Sequence, residues 1–389
     1  MEHAIRFIDR DKKYVNNLVI VSISDIHFGA MNPKYQYDTL KEQFVNKLYD
    51  TQFDVLAICG DYFHHKFMSN SDAIMYGLML WDEMANLCIS KSATMVIIHG
   101  TKKHDDDQLQ LFYTYLKNPL LDLRIVEQTR FEYIKGMKVL CIPEEYNKTE
   151  EYYYNFLYMQ GYYDLCIVHG MYKGAVYQNE IINVDNSVDN RVKIFNITDF
   201  AMCRGLILAG HVHTPGCFNS YFYYCGSPYR WQFGEEHDKG FLVTLLDLES
   251  GQHYTHFETI DCLKYVTINL DDMMHRDPDF IINEIQKLSS DIDFIRLEIN
   301  SPNQDYLPTL EILKTYYRNN TNIKLNVKNL EKERINNEVK NLSEQYSMYD
   351  YLINDKSLTC YDKLARYINQ MEGTIFITVE ELIDILKEE

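Results

Sequence analysis

Short apolar runs that end in aspartate or histidine are the feature of this chain that most limits its fold. The runs are 18–21 before Asp25 and His27, 55–58 before Asp61, 165–168 before His169, and 206–209 before His211 and His213. Runs of this length, bounded by glycine and polar residues, are typical of buried strands. Polar residues at the carboxyl ends of such strands converge at one edge of an α/β scaffold. Carboxylate and imidazole bind divalent metals, so the pattern predicts a hydrolytic metal centre.

The order of the predicted elements indicates an α/β (α+β) protein. Strands alternate with helices up to Gly210, and beyond it strands follow one another directly. The predicted strands are 18–24, 54–58, 94–98, 138–142, 164–168, 205–209, 217–225, 239–247 and 253–259, with helices near 36–50, 72–90 and 149–160. This order predicts two packed sheets with helices outside, ending in a meander of strands.

Two further segments are expected after a first domain at 1–260. Residues 261–330 contain predicted strands at 265–270, 294–299 and 323–327 and helices at 278–290 and 308–318. They form a small α/β domain without a metal-like constellation, so we expect it to shape substrate access. Residues 331–389 are acidic and end in an amphipathic helix with Val379, Leu382, Ile383 and Leu386 in one stripe. Such a helix either docks on its own domain or binds a partner.

Composition limits the partners and the compartment. The net charge of −19 disfavours a generic basic surface for nucleic acid. It does not exclude a nucleic-acid substrate, because bound divalent cations can supply the positive potential that a phosphodiester needs. No apolar segment approaches the roughly 20 residues of a membrane span, and no signal peptide is visible. The cysteines contain no CxxC pair, so we expect a cytoplasmic protein away from the membrane.

The spacing inside the motifs favours shared ligation. Asp25 and His27 are two residues apart and share a face of an extended segment, and His211 and His213 repeat this spacing. A glycine before Asp61 lets the backbone turn sharply, which suits a bridging carboxylate. Either pair alone could arise by chance, but the joint occurrence of both pairs and Asp61 at strand ends indicates a metal site.

In this order, the motifs resemble those of the calcineurin-like metallophosphoesterase superfamily. Its pattern D-x-H, G-D, G-N-H-[DE], a lone H and G-H-x-H runs here over residues 25 to 213. The stretches 24–29, 60–64, 225–228, 233–235 and 239–241 resemble the nuclease branch related to Mre11 and SbcD, including the phage recombination nucleases. The motifs cover about residues 17–260, and 262–389 resembles the branch in domain order only. The resemblance implies a four-layer α-β-β-α sandwich core, a small capping domain and a helical C-terminal segment.

The resemblance also implies two divalent cations, with Mn²⁺ expected and Mg²⁺ as the alternative. The first would be held by Asp25, His27, Asp61 and His213, and the second by Asp61, His169, His211 and a ligand from the third motif. Such a pair lowers the pKa of bound water towards about 7. His104 would donate a proton to the leaving oxygen. His64 would handle the nucleotide or the scissile phosphate, unless it is simply an exposed loop histidine.

The third motif departs from the family pattern. The chain has Gly100-Thr101-Lys102-Lys103-His104-Asp105 and therefore lacks the asparagine amide. A hydroxyl from Thr101, a backbone carbonyl or a water can take its place, or the second ion is loosely held. Lys102 and Lys103 either contact phosphate or are solvated.

Three candidate functions follow. The first is a metal-dependent DNA exonuclease and endonuclease, a subunit of an Mre11–Rad50/SbcCD-like recombination and repair complex. That resemblance implies a homodimer and a Rad50/SbcC-like coiled-coil ATPase bound by residues 331–389, in the host cytoplasm if a phage encodes the chain. The second is a phosphatase or cyclic-nucleotide phosphodiesterase of the same fold. The third is a structural or binding subunit with a degraded metal site, supported only by the altered third motif.

Overall fold

The structure, a computed structural model, describes residues 17–177, 180–181, 191–300 and 306–327 and the isolated residues 358–359, 362–363, 365 and 378–380. The chain divides into two compact units, Met1–Thr267 with Lys287–Arg296 and Ile268–Gln286 with Leu297–Glu389. Among the described residues, no helix is long and apolar enough to cross a membrane.

The strands of the described ranges differ widely in length. They are β1 Asn17–Ile23, β2 Val55–Ile58, β3 Thr94–Ile98, β4 Asp122–Val126, β5 Arg130–Ile134, β6 Met137–Ile142, β7 Tyr163–His169, β8 Met171–Tyr172, β9 Val176–Tyr177, β10 Glu180–Ile181, β11 Ile194–Phe195, β12 Cys203–Gly210, β13 Gly216–Phe218, β14 Phe222–Tyr224, β15 Gly240–Asp247, β16 His253–Thr259, β17 Tyr265–Asn269, β18 Phe294–Ile299 and β19 Ile323–Val327.

The helices include α, π and 3-10 segments. The α-helices are α1 Pro33–Leu40, α2 Asn46–Leu48, α3 Asp72–Lys91, α4 Glu150–Tyr154, α5 Pro278–Leu288 and α6 Leu307–Tyr317. A π segment, Lys41–Val45, joins α1 to α2, another, Asn155–Met159, follows α4, and Gln108–Lys117 is a 3-10 helix. Ser71 caps α3 by accepting a hydrogen bond from the backbone N–H of Ile74, which satisfies one of the donors at the helix start.

Two six-stranded sheets form the larger part of the first unit. The first has the order β16-β15-β1-β2-β3-β4, in which β1 to β4 run parallel. The second has the order β13-β14-β12-β7-β6-β5, in which β14, β12, β7 and β6 run parallel. Both sheets therefore gather the carboxyl ends of several strands along one edge.

The apolar runs are continuous because their strands are buried on both faces. Val19 and Val21 of β1 belong to a core cluster that also contains Trp81 of α3. Ile20, on the opposite face of β1, belongs to a second cluster that includes Leu206 of β12 in the other sheet. A strand that is covered on both faces reads as an unbroken hydrophobic run rather than an alternating one. The prediction of an α/β protein is confirmed at this level.

The strands after Gly210 correct the sequence prediction. The expected single strand 217–225 is two strands, β13 and β14, separated by Asn219 and Ser220 with φ of 50° and 60°. The expected meander is wrong, because β14 pairs with β12 whereas β15 pairs with β1 in the first sheet. The strands β4 and β5 were not predicted. Both are edge strands, where polar side chains interrupt the apolar pattern.

The elements predicted within 261–330 are present as α5, α6 and the three strands of a sheet ordered β17-β18-β19. Ile281 and Ile285 give α5 a buried face, as the periodicity of this segment predicts. The predicted C-terminal helix and the partner-binding segment 331–389 fall outside the described residues, apart from isolated positions. Those two predictions stay predictions, as does the division of the chain at 260 and 330.

Candidate metal centre

Parallel register brings the predicted ligands to the same edge. In the first sheet, Ile23 pairs with Ile58, so the loops after β1 and β2 leave side by side. The backbone N–H of Asp25 donates to the carbonyl of Gly60 at 3.1 Å, which ties the two loops together. In the second sheet, His169 pairs with Gly210, directly before His211.

Four of the predicted ligands have a left-handed backbone. The φ angles are 51° at Asp25, 46° at His27, 55° at Asp61 and 93° at His211. Non-glycine residues in this region cost about 1–3 kcal/mol each, and they persist where surrounding contacts hold them. Backbone strain is therefore concentrated at the ends of these strands, where it aims the ligand side chains.

One group of donor atoms forms around His213. Its Nε2 atom lies 3.0 Å from Nε2 of His27 and 3.8 Å from Oδ1 of Asp25. The Nε2 atom of His27 also lies 3.7 Å from Oδ2 of Asp61. Asp25, His27 and His213 each offer one ligand atom within 4.8 Å of the others.

A second group forms around His169. Its Nε2 atom lies 3.4 Å from Oδ2 of Asp61 and 3.5 Å from the hydroxyl of Thr101. The Nδ1 atom of His211 lies 3.3 Å from Oε2 of Glu144. His169, His211 and Glu144 have ligand atoms within 4.8 Å of one another.

These spacings suit ligands that share a cation. Two ligands at about 2.1 Å from one ion and about 90–110° apart lie about 3.0–3.4 Å from each other. The separations of 3.0, 3.4 and 3.3 Å match this range, and those of 3.7 and 3.8 Å lie slightly above it. Imidazole nitrogens and carboxylate oxygens are common ligands of first-row divalent cations, and the carboxylates suit Mn²⁺. The residues present therefore fit a pair of divalent cations that share Asp61.

Hydrogen bonds behind two histidines fix which nitrogen faces the cluster. Nδ1 of His213 donates to Oε1 of Glu235 at 2.6 Å, and Nδ1 of His169 donates to the carbonyl of Cys59 at 2.7 Å. Lys239 lies 3.4 Å from the other oxygen of Glu235 and donates to Ser227 at 2.8 Å. Such partners orient a ligand and raise its basicity.

Burial and charge set the protonation of the cluster. Burial is the main reason that the pKa of His27 lies well below its ordinary value; Asp61 opposes this shift. Burial alone would lower the pKa of His169, but the carboxylate of Asp61 raises it to about 10. The pKa of Asp61 is held well below its usual range because His169 and His27 outweigh the effect of burial. Without a cation, His169 therefore carries a proton at neutral pH.

His104 and His64 lie beside the first group. The His104 and His27 rings are 4.5 Å apart, and His64 stacks on His104 at 5.5 Å and meets Trp231 edge-on at 4.9 Å. Nδ1 of His104 donates to the backbone carbonyl of His64, so the other ring nitrogen, Nε2, is not used in this bond. Burial, followed by His104, lowers the pKa of His64 to about 4. His64 is half-buried, so it is not the exposed loop histidine of the alternative interpretation.

Asp105 holds the loop that presents Asp61. Its carboxylate accepts backbone hydrogen bonds of 3.0 Å from Asp61, 2.8 Å from Tyr62, 3.1 Å from Phe63 and 2.8 Å from Gly100. A Cβ atom on Gly100 would lie 2.1 Å from Oδ1 of Asp61, so only glycine fits this close approach. The aspartate of the third motif thus holds the backbone of this loop in place, and both of its carboxylate oxygens have hydrogen-bond partners.

The structure places all nine predicted site residues in one cluster. Thr101 lies at the cluster, with its backbone N–H donating to Asp61 at 2.6 Å, whereas Lys102 and Lys103 are exposed. The sequence reasoning missed Glu144 and assigned no role to Glu235 or Asp105. Glu144 follows the end of β6, so the rule that found the other ligands could have found it.

A cavity of about 520 Å³ opens onto the cluster. Its lining includes cluster residues and residues of the segment that follows them in the chain, namely His27, Asp61, Thr101, His104, His211, His213, Trp231, Phe233, Glu235 and Arg296. The guanidinium of Arg296 lies 5.0 Å from the centre of the Phe233 ring. The metal-like cluster therefore borders an aromatic and cationic wall, within a volume ordinary for a ligand site.

Comparison with known proteins identifies no family. No family model matches the chain, and no curated protein matches it significantly. One crystal structure matches 62% of this chain and 100% of its own, with 10% identity and a TM-score of 0.38. The cold-active protein-tyrosine phosphatase of a psychrophilic Shewanella matches 61% of this chain and 80% of its own, with 12% identity and a TM-score of 0.27. With TM-scores this low, neither likeness bears on the activity.

Proposed function

We propose that this chain is a dinuclear metal-dependent phosphodiesterase of the calcineurin-like superfamily that hydrolyses DNA as an exonuclease and endonuclease. One observation carries the proposal. The same Oδ2 atom of Asp61 lies 3.7 Å from His27 and 3.4 Å from His169, one histidine from each donor group. A single carboxylate between two donor groups suits a hydrolytic site with two metal ions close together.

The packing supports the four-layer α-β-β-α core that we propose for the first unit. One core cluster contains side chains of both six-stranded sheets. A second cluster combines the first sheet with α1 and α3, and a third combines the second sheet with α4. Apolar contacts therefore occur on both faces of each sheet, as layers of helix, sheet, sheet and helix would produce.

In the proposed hydrolysis, some residues would bind the cations and another would donate a proton. Divalent cations, Mn²⁺ or Mg²⁺, would lower the pKa of bound water and neutralise charge at the phosphate when bound. Asp25, His27, Asp61 and His213 would hold one, and Asp61, His169 and His211 the other. Hydrolysis forms a bond from water oxygen to phosphorus and breaks one P–O ester bond, so the leaving oxygen needs a proton. Nε2 of His104 is placed to donate it, because Nδ1 is already bound to the His64 carbonyl.

The cavity wall favours DNA over a small phosphoester. Trp231 lies 5.6 Å from His27 between ring centres, so a base stacked on the indole would place its phosphate near the cluster. Arg296 adds a positive charge to the lining of the same cavity in a chain that is otherwise strongly acidic. A small phosphoester would leave both groups unused.

The test is cleavage of linear duplex and single-stranded DNA with Mn²⁺. Asp61→Asn and His213→Ala should each abolish cleavage, whereas Asp50→Asn, at an exposed aspartate, should leave it unchanged. Full activity in either of the first two variants would refute the assignment of the site. Efficient hydrolysis of p-nitrophenyl phosphates together with no cleavage of DNA would favour the phosphatase or cyclic-nucleotide phosphodiesterase alternative.

The proposed setting is a recombination and repair complex in the cytoplasm, with a homodimer of this chain and a coiled-coil ATPase bound by residues 331–389. Deleting that segment should remove a co-purifying ATPase and leave metal binding intact. An unchanged complex after the deletion would refute the role of the segment.

A further inference from the structure

The second donor group contains a carboxylate that the metallophosphoesterase pattern does not supply. Glu144 lies two residues beyond β6, whose residue Ile142 pairs with Val168 of β7. His169 ends β7 and pairs with Gly210 at the end of β12. Three adjacent parallel strands therefore end in Glu144, His169 and His211, in that order across the sheet.

The Glu144 side chain is buried and directed at the histidines. It is 7% exposed, and its Oε1 atom accepts a hydrogen bond of 2.6 Å from the hydroxyl of Tyr146. The other oxygen, Oε2, lies 3.3 Å from Nδ1 of His211. The backbone N–H of Glu144 donates to the carbonyl of His99 at 3.2 Å, which fixes the loop behind it. One carboxylate oxygen is thus anchored, and the other lies at ligand spacing from a candidate metal-binding nitrogen.

We propose that Glu144 is a direct ligand of the second cation and takes the place of the asparagine that the third motif lacks. This inference rests on the proposed function, because it needs a cation between His169 and His211. Thr101 stands where the motif has its asparagine, and its hydroxyl lies 3.3 Å from Oδ2 of Asp61. The exchange of a neutral amide for a carboxylate adds a negative charge, so the second ion is held firmly despite the altered motif.

The competing role for Glu144 is to orient His211 through a hydrogen bond without touching the ion. The two roles differ in how much metal affinity is lost with the carboxylate. A glutamine would not separate them, because its amide oxygen could bind the ion as the asparagine of the motif does, so the test uses Glu144→Ala. Loss of an orienting partner costs about 10–100-fold in metal affinity, and loss of a ligand should exceed this.

The experiment titrates the full chain with Mn²⁺ and counts bound ions from the electron paramagnetic resonance signal of free Mn²⁺. The wild type should bind two ions, with magnetic coupling between them. Glu144→Ala should bind one tightly, and its second affinity should fall by more than about 100-fold. Adding Thr101→Asn to Glu144→Ala should restore the second ion and the coupling. If Glu144→Ala does not fold, Glu144→Asp, which withdraws the carboxylate by one methylene, should show the same loss.

Glu145→Ala is the matched control. Glu145 is the next residue, is also 7% exposed, and bonds Thr129 and Tyr152 rather than the cluster histidines. It should bind two ions as the wild type does. Two tightly bound ions in Glu144→Ala would overturn the ligand role of Glu144 and leave the proposed function standing. A wild type that binds no Mn²⁺ would overturn both.

Discussion

The carboxylate of Glu235 accepts a 2.6 Å hydrogen bond from Nδ1 of His213, which leaves Nε2 of that histidine facing Asp25 and His27. Loss of such a partner frees the ring and lowers its basicity. We expect Glu235→Ala to weaken the first Mn²⁺ site by about 10–100-fold while two ions still bind at saturation. Calorimetric titration would measure this. Glu236→Ala, at an exposed neighbour, should bind as the wild type does. Equal affinities for both variants would contradict the orienting role.

We expect Asp105 to contribute mainly to the stability of the fold. Asp105→Ala removes the acceptor of four backbone N–H groups, and each buried donor without a partner costs about 1–3 kcal/mol. We expect the free energy of unfolding to fall by at least about 3 kcal/mol, measured by urea denaturation without metal. Asp107→Ala, at a side chain that is 72% exposed, should change it by less than about 0.5 kcal/mol. A small effect of Asp105→Ala would show that the loop relaxes to other partners.

The pKa of His169 predicts the pH dependence of the metal-free protein. Its pKa is raised to about 10 in the folded chain, because the effect of Asp61 exceeds that of burial, and is about 6.5 when unfolded. The stabilisation from this pair is therefore complete below about pH 6.5 and lost as the pH rises towards about 10. With chelator present, the melting temperature should fall over this range more for the wild type than for His169→Asn. Parallel falls in both proteins would argue against a protonated His169.

His104 should affect catalysis without affecting metal binding. His104→Gln should lower the rate of DNA cleavage by about 100-fold or more, with two Mn²⁺ ions still bound. The loss should shrink for a p-nitrophenyl ester of a nucleotide, because its leaving group needs no proton. The exposed neighbour His65 provides the control, and His65→Gln should cleave both substrates normally. The same loss on both substrates would point to a positioning role instead.

Much of the fold was predictable because the strands that carry ligands are buried on both faces. The runs around Val21, Ile58 and Ile167 contain little but apolar residues, so their positions and ends are clear from the sequence. The edge strand Arg130–Ile134 was missed because its polar side chains contact solvent or one another, as in the 2.7 Å bond between Arg130 and Glu132. The prediction of a meander was wrong for another reason. Which sheet β15 joins depends on long-range pairing with β1, and no local pattern encodes it.

The candidate site also contains some residues that the sequence predicts and others that it does not. Residues at the ends of apolar runs, such as Asp61 and His169, were predictable because chain order alone places them at one edge. The residues that orient these ligands were not predictable, because the function of a glutamate such as Glu235 is visible only from the atom that it contacts. Glu144 follows a predicted strand, but Pro143 separates it from the apolar run and the family pattern includes no glutamate at this point.

The two donor groups contain residues from both sheets, so the proposed cations would connect one sheet to the other. Asp25, His27 and Asp61 follow strands of the first sheet, whereas His169, His211 and His213 follow strands of the second. His27 and His213 are 186 residues apart in the chain. Ions held between them would act as removable cross-links that fasten the sheets at one edge, as disulfides do in other proteins. Chelation should then speed amide hydrogen exchange at the ends of β1 and β12 first and leave the apolar interior protected.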